Sequence, residues 1–334
     1  MSDATSVALD KSGILERILA FRELVLFVFI VLLIAGVSIR SPRFLALDNF
    51  KVILLDASIL MVVAIAQMIV MLTAGIDLSI TAVLAFSGMA VALLVRDGIV
   101  TQPWLCLLLG TLIGLALGSI NGLLVSKGGM PPIIASIATM TIYRGATYLI
   151  SGGAWVSAHQ MTDGFISIAR GTVFGIPNLV VTVIIVSLIA YYFLGHTPTG
   201  RKIYAVGDNP NAARFAGINV NRINFLVYAL SGGICGFSGV LWVSRYASAQ
   251  SNAAVGFELQ AVASCVIGGV LISGGSGSVP GVLLGSLLLS VIVNALAVAR
   301  VNPFWRMAIQ GVIILVAVVI DTMMSRRIGK REAQ

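Results

Sequence analysis

The sequence predicts an all-α fold, a polytopic bundle of membrane-spanning helices, and two observations lead to it. Of the 334 residues, 58% are apolar and only 10% are charged, whereas a soluble domain averages about 45–50% apolar and about 25% charged residues. The apolar residues also gather in runs of about 20, the length that a helix needs to cross the hydrocarbon layer. Soluble enzymes, nucleic-acid-binding proteins and disordered chains are therefore excluded.

We expect about ten spans in a single transmembrane domain over residues 23–323, between a polar tail, 1–22, and a basic tail, 324–334. The predicted spans are 23–39, 52–72, 78–95, 104–125, 131–150, 176–194, 223–243, 257–272, 279–299 and 304–323. The weakest are 131–150, which begins with two prolines, and 257–272, which is short. For either of these two, a broken or re-entrant segment is the alternative.

Ten spans place both termini on the same side of the membrane, and the basic residues predict which side this is. With the N-terminus inside, 12 Lys and Arg fall on the cytoplasmic side and seven on the other. Because these residues concentrate in cytoplasmic loops, we expect both termini in the cytoplasm. The net charge of +8 follows from the same rule and needs no nucleic-acid partner.

The sequence offers no pattern for a catalytic or cofactor site. Cys106, Cys235 and Cys265 lie in apolar segments without paired spacing, and the chain has two histidines, so no metal site is predicted. A Walker A pattern is absent, and the glycine run 274–281 lacks the lysine of a phosphate-binding loop. We therefore expect neither an enzyme nor a resident cofactor.

Glycines predict where helices pack closely. Gly110, Gly114, Gly118 and Gly122 recur at every fourth residue, which makes a smooth stripe along the span 104–125 for a neighbouring helix. Two glycine-containing turns, residues 74–79 and 273–278, join the second to the third span and the eighth to the ninth. Their related positions suggest an internal repeat, as in transporters with discontinuous helices.

Three charged residues lie at or inside predicted spans. Asp77 precedes the third span and Glu258 begins the eighth, so each is predicted either to cap a helix N-terminus or to act in a pathway or gate. Arg144 lies within a span, where an unpaired charge is costly. It either faces an aqueous pathway, or it extends to the interface or pairs with Asp56 or Asp77.

Four uncharged polar residues in the spans are further pathway candidates. A small polar solute needs hydrogen-bonding groups along its route, and the same side chains can instead join neighbouring helices. Both alternatives stay open for Gln67, Asn121, Asn294 and Gln310.

The connection 195–222 contains the most specific segment of the chain. Asn209 suits a helix N-cap, Pro210 the first helical position and Gly217 the position after the helix end. The intervening residues, 211–216, predict a two-turn helix, and a helix this short needs a surface to dock on.

The side chains of this short helix suggest a protein partner as that surface. Ala212, Ala213 and Ala216 form a small-residue face that would allow close approach to a groove of the partner. Phe215 would then act as an apolar anchor, and Arg214 as a charged contact at the rim.

Three motifs resemble the ribose-type ABC sugar importer permeases, a family that includes ribose, xylose, arabinose, galactose, rhamnose and autoinducer-2 permeases. Gly207-Asp-Asn-Pro-Asn-Ala-Ala-Arg-Phe-Ala-Gly-Ile218 resembles the family's cytoplasmic coupling loop. Gly75-Ile-Asp-Leu-Ser79 resembles its GIDLS signature, and residues 256–277 resemble its GxEL and GGxG block. The resemblance covers residues 23–323, with a lean towards the rhamnose and autoinducer-2 branch. Ile80-Thr81 departs from the family's Val-Gly, which puts the packing at the start of the third span in doubt.

The resemblance implies a pore subunit in the bacterial inner membrane. Its implied partners are a cytoplasmic ATPase that carries ATP and magnesium, a periplasmic sugar-binding protein, a second copy or paralogue of the permease, and membrane lipid. The alternative function is an ion-coupled secondary transporter of a small polar solute, which would have no need for the loop 195–222.

Overall fold

The computed structural model describes residues 11–302 together with Trp305, Ala308, Ile309, Gly311, Val312, Leu315 and Val319. Over this part of the chain, the fold is a bundle of α-helices. The helices are α1 (Lys11–Arg40), α2 (Leu47–Met71), α3 (Ile80–Arg96), α4 (Pro103–Ser126), α5 (Pro132–Ser151), α6 (Asp163–Arg170), α7 (Asn178–His196), α8 (Pro198–Asp208), α9 (Pro210–Phe215), α10 (Val220–Tyr246), α11 (Phe257–Ile267) and α12 (Val279–Val298).

Seven of these helices are long and apolar enough to cross a membrane, which supports a polytopic membrane bundle. They are α1, α2, α4, α5, α7, α10 and α12, with α1 counted from Glu23. The predicted spans 78–95 and 257–272 correspond to the shorter helices α3 and α11. The predicted span 131–150 is a continuous helix, α5, and most of the span 304–323 lies outside the described residues.

The long helix α10 is the centre of the bundle and packs on α2, α3 and α4. The glycine stripe of α4 faces it: a Cβ on Gly114 would overlap the carbonyl oxygen of Gly232 and lie 2.7 Å from the Cα of Gly236. Helices α10 and α3 also pack closely through glycines, because a Cβ on Gly88 of α3 would lie 2.6 Å from the Gly239 carbonyl oxygen of α10. The predicted close packing is therefore confirmed, and α10 is the neighbour that supplies the matching glycines.

The two ends of the bundle have different structures. We call the end that carries α8, α9 and the turns after α2 and α11 the α8 face. The opposite end, the α6 face, carries α6 and two small antiparallel sheets: β1 (Val156–Ser157) with β4 (Ser248–Ala249), and β2 (Thr172–Val173) with β3 (Ile176–Pro177). The Ser244 hydroxyl of α10 donates to the Phe165 carbonyl at 2.9 Å and holds α6 on this face.

Helices α11 and α12 pack closely on each other, and the turn that connects them lies at the α8 face. A Cβ on Gly268 would lie 2.5 Å from the Gly281 carbonyl oxygen, and one on Gly285 would overlap the carbonyl of Ser264. Because α11 has 11 residues, it rises only about 16 Å and is too short to cross the membrane alone. This agrees with the re-entrant alternative for 257–272.

The contact between α4 and α10 generates the first prediction. Gly114→Val places two methyl groups against the backbone of α10, and overpacking of this kind costs about 1–3 kcal/mol. We expect a lower midpoint of thermal unfolding in detergent, measured by size-exclusion chromatography of heated samples. Gly145→Ala is the control, because nothing lies within 4 Å of a Cβ there; equal midpoints for the two variants would contradict the assignment of this seam.

Candidate functional site

The C-terminal end of α8 is inserted between two turns of the membrane bundle. The Gly275 amide donates to the Leu72 carbonyl at 3.0 Å, which joins the turn after α2 to the turn after α11. Gly207 of α8 packs onto this junction so closely that an added Cβ would overlap the Leu72 carbonyl oxygen and lie 2.6 Å from the Gly275 amide nitrogen. The two turns whose related positions suggested a repeat thus meet at Gly207.

A second contact fixes α8 beside the same turns. The Tyr204 hydroxyl donates to the Gly277 carbonyl at 2.9 Å, and a Cβ on Gly275 would lie 2.8 Å from the Cα of Asp208. Helix α8 is therefore in direct contact with backbone that precedes α3 and α12.

The sequence predicts one short helix in the connection 195–222, whereas the structure has a second helix there, α8. Its start is marked by Thr197, whose hydroxyl accepts from the Gly200 amide at 3.0 Å, and by Pro198 in the first turn. Only Ile203, Val206 and two glycines of α8 are buried. The Thr-Pro start was a usable signal for this amphipathic helix.

The short helix α9 has the predicted structure. The Asn209 side-chain oxygen accepts from the amides of Asn211 and Ala212, both at 3.0 Å. Pro210 opens the helix, and Gly217 follows its end with a φ of 78°. The capping residues therefore set both ends of α9.

The orientation of α9 corrects one prediction. Ala213 does not face outward: it is 4% exposed and packs into the core of the bundle, where Ile218 also packs. The residues around it, Ala212, Arg214 and Ala216, are exposed, and Phe215 is 93% exposed. The predicted small-residue face is thus divided, because Ala213 docks α9 on its own chain.

Asp77 supports the turn between α2 and α3. Its Oδ1 accepts from the Ser79 amide at 2.8 Å and from the Ser79 hydroxyl at 2.7 Å. The residue at the N-cap of α3 is Ser79 and not Asp77, so the predicted cap is displaced by two residues. Asp77 stabilises the start of α3 through the capping residue.

Side-chain hydrogen bonds join α4 to the Asp77 turn, and α5 to α4. The Asn121 amide of α4 donates to the Ser79 hydroxyl at 2.6 Å. The Tyr143 hydroxyl of α5 donates to the Leu117 carbonyl at 2.9 Å and lies 3.4 Å from the Asn121 side-chain oxygen. Asn121 is completely buried, so it joins helices, as one of the two alternatives predicted.

Glu258 connects two short helices to each other. One carboxylate oxygen accepts from the Thr81 hydroxyl at 2.7 Å, and the other accepts from the Gly256 amide at 3.2 Å. Glu258 lies in the first turn of α11, and Gly256 is its N-cap. Thr81, which departs from the family pattern, thus ties the start of α3 to the start of α11.

Arg144 is held by backbone and not by an acid. Its Nη1 donates to the Ala253 carbonyl at 2.6 Å and to the Ser251 carbonyl at 3.2 Å, which fixes the segment before α11. The alternative that Arg144 pairs with Asp56 or Asp77 is not found among the described residues: Asp56 pairs with Arg245 at 3.5 Å, and Asp77 bonds to Ser79.

The remaining pathway candidates differ in their surroundings. Gln67 is completely buried, and its amide has no hydrogen-bond partner among the described residues. Asn294 lines a cleft near the α6 face, and Gln310 lies outside the described residues. Sequence reasoning missed Tyr228, whose buried hydroxyl would lie 2.7 Å from a Cβ on Gly75 and likewise has no described partner.

Comparisons with known proteins agree with this architecture. The family model described as "Branched-chain amino acid transport system / permease component" matches residues 49–318. The ribose import permease of Haemophilus influenzae is 39% identical over 88% of this chain and 91% of its own length. The Escherichia coli D-allose permease is 35% identical (89% and 91%), and an Enterobacter autoinducer 2 permease 31% (92% and 88%). No solved structure matches the chain.

The Asp77 turn generates the second prediction. Asp77→Ala leaves the buried Ser79 amide and hydroxyl without their acceptor, which costs about 1–3 kcal/mol, whereas Asp77→Asn keeps an oxygen in place. We expect a clearly lower unfolding midpoint in detergent for the Ala variant and a smaller change for the Asn variant. If both variants lose the same stability, the contact to Ser79 does not support this turn.

Proposed function

The chain belongs to the branched-chain amino acid transport system / permease component family, as a multi-pass inner-membrane permease of the ABC sugar importers, and from this premise we propose that it is the pore subunit of an ATP-driven monosaccharide importer. A separate cytoplasmic ATPase binds ATP and magnesium, and a periplasmic binding protein delivers the sugar. A second permease copy or paralogue completes the pore.

The observation that carries this proposal is the insertion of Gly207 between the turns at Leu72 and Gly275. A subunit that uses a partner's ATP hydrolysis needs a mechanical contact between that partner and its pore. Helix α8 provides such a contact, since it ends on backbone that leads directly into α3 and α12. We assign the α8 face to the cytoplasm, which agrees with the charge distribution.

The exposed side of α9 is our proposed docking surface for the ATPase. Phe215 projects almost its entire side chain from the folded chain, and burying a phenylalanine stabilises a complex by about 1.5–3 kcal/mol. A groove of about 440 Å³, lined by Arg214, Gly217, Ile218 and Asn219 among others, lies beside it. A side chain of the ATPase fits this groove, with Arg214 as a contact at its rim.

Conformational change then reaches the pore through the short helices α3 and α11. Asp77 holds the start of α3 and Arg144 holds the segment before α11. Glu258 ties both helix starts together through Thr81. We infer that these charged residues position the parts that move during transport, and that the charges do not form a proton relay.

A monosaccharide is the proposed cargo because permeases named for ribose and D-allose are 39% and 35% identical to this chain. The autoinducer 2 permease is 31% identical, so this solute ranks behind the two sugars. The lean towards rhamnose finds no counterpart among these relatives.

The third prediction tests the source of energy. We expect D-ribose or D-allose uptake into proteoliposomes only when the permease, its ATPase and ATP inside the vesicle, and the binding protein outside are all present. Collapse of the proton and sodium gradients with ionophores should leave this uptake unchanged. Uptake by the permease alone, driven by an ion gradient, would instead establish the secondary transporter.

The fourth prediction tests the docking surface with a matched pair of variants. Phe215→Ser removes the exposed apolar anchor and should reduce the amount of ATPase that co-purifies with the permease by about tenfold, as expected for loss of about 1.5 kcal/mol or more. Phe174→Ser is the control, because Phe174 is 101% exposed on the opposite α6 face. A normal complement of ATPase on the Phe215 variant would reject α9 as the docking site.

A further inference from the structure

A cleft of about 400 Å³ opens between α2, α10, α11 and α12, in the half of the bundle away from α8. Asp56 lines it, and the 16 residues from Asp56 to Leu72 place the cleft about 24 Å along α2 from the Gly207 contact. Its volume lies in the lower part of the range for small-molecule sites, about 300–1,000 Å³. The contacts described above for α8 and α9 do not involve this cleft.

One wall of the cleft is aromatic. Trp242 and Tyr246, one turn apart on α10, have ring centroids 4.9 Å from each other. The ring of Phe257, the first residue of α11, meets Trp242 edge-on with centroids 5.2 Å apart. These mutual contacts restrict the three rings, which present apolar, electron-rich surfaces.

The rest of the lining combines aliphatic side chains with four polar residues that can hydrogen-bond, namely Asp56, Gln260, Ser290 and Asn294. Asn294 contributes a buried side-chain oxygen that has no partner among the described residues, and Gln260 lines the same cleft. The Asp56 carboxylate lies 3.5 Å from the Arg245 guanidinium, so its charge is balanced. The cleft therefore offers hydrogen-bonding groups without a net charge that would attract an ion.

We propose that this cleft is a monosaccharide-binding site of the permease, which rests on the proposed function and adds a place where the sugar pauses. A sugar ring combines apolar C–H faces with a rim of hydroxyls, each of which both donates and accepts. The C–H face packs against Trp242 and Tyr246, and hydroxyls bond to Gln260, Asn294 and Asp56. A lipid acyl chain would leave these polar groups without partners, at a desolvation cost.

The site also contacts a helix that is tied to the transport machinery. Phe257 and Gln260 belong to the first turn of α11, and Glu258 between them holds α3 through Thr81. A sugar in the cleft thus touches the short helix whose C-terminal turn reaches Gly275. A sugar in the cleft contacts the N-terminal end of α11, and α8 contacts the turn that follows the C-terminal end of α11.

The test uses the complete transporter in proteoliposomes with radiolabelled D-ribose and D-allose. Trp242→Leu and Gln260→Ala each remove one side of the site. Trp104→Leu is the matched control, because Trp104 is exposed in the first turn of α4, near the same end of the bundle. Uptake at saturating sugar and ATP hydrolysis stimulated by the loaded binding protein are measured on the same preparations.

We expect both cleft variants to lower uptake about five- to tenfold, as for loss of a hydrogen bond or an aromatic contact, while stimulated ATP hydrolysis stays within twofold of wild type. The Trp104 control should match wild type in both measurements. Unchanged uptake in the two variants, or a parallel fall of uptake and ATP hydrolysis, would overturn the site. Absence of ATP-dependent uptake by the wild type would instead contradict the proposed function itself.

A labelling experiment tests occupancy without transport. In the chain whose three cysteines are replaced by serine, Ser290→Cys, at a cleft-lining residue to which no sugar contact is assigned, is labelled with a small maleimide in detergent. We expect millimolar D-ribose or D-allose to slow labelling at least threefold, and equal concentrations of glycerol to have no effect. No protection by either sugar would overturn the site even if uptake by the complete transporter is normal.

Discussion

The approach of Gly207 to the Leu72 carbonyl and the Gly275 amide is the contact on which the proposed mechanism depends. Only a residue without a Cβ permits backbone from three segments to meet at this distance. A larger side chain would push α8 away from both turns and separate the surface around Phe215 from the bundle. The absence of a Cβ at Gly207 therefore allows the short amphipathic helix α8 to contact two buried turns at once.

The starts of the short helices α3 and α11 explain why this bundle carries the acidic side chains of Asp77 and Glu258. Helix α3 begins inside the protein, at the buried residues Ser79 and Ile80, whereas α11 begins at half-buried residues. Within a membrane, the first amide groups of both helices need acceptors that the protein itself supplies. Asp77 and Glu258 accept from the Ser79 and Gly256 amides. The two carboxylates thus supply acceptors at the starts of two short helices. The turn before α3 and the turn after α11 both contact α8.

Much of this architecture could be predicted from the sequence, since apolar length and residue spacing are local properties. The nine spans that fall on described residues each correspond to a helix, and the spacing of Gly110 to Gly122 predicts a close helix contact, for which the structure supplies α10 as the partner. The partners of Arg144 could not be predicted, because carbonyl groups of 251–253 carry no sequence signal. The burial of Ala213 depends on how α9 docks, and helix periodicity alone cannot specify this for six residues.

The arrangement of α10 and α11 suggests which route carries motion across the membrane. Helix α10 runs from α9 to the aromatic cleft, but glycine contacts pack it against α4 and α3, and close-packed interiors resist continuous deformation. Helix α11 is shorter and ends in glycine-containing turns. Its first turn lines the cleft, and the turn after its last residue reaches Gly275. Since glycine contacts also pack α11 closely on α12, these two helices form one unit, and a shift of this pair can open the cleft as α8 moves, while the seam between α4 and α10 stays intact.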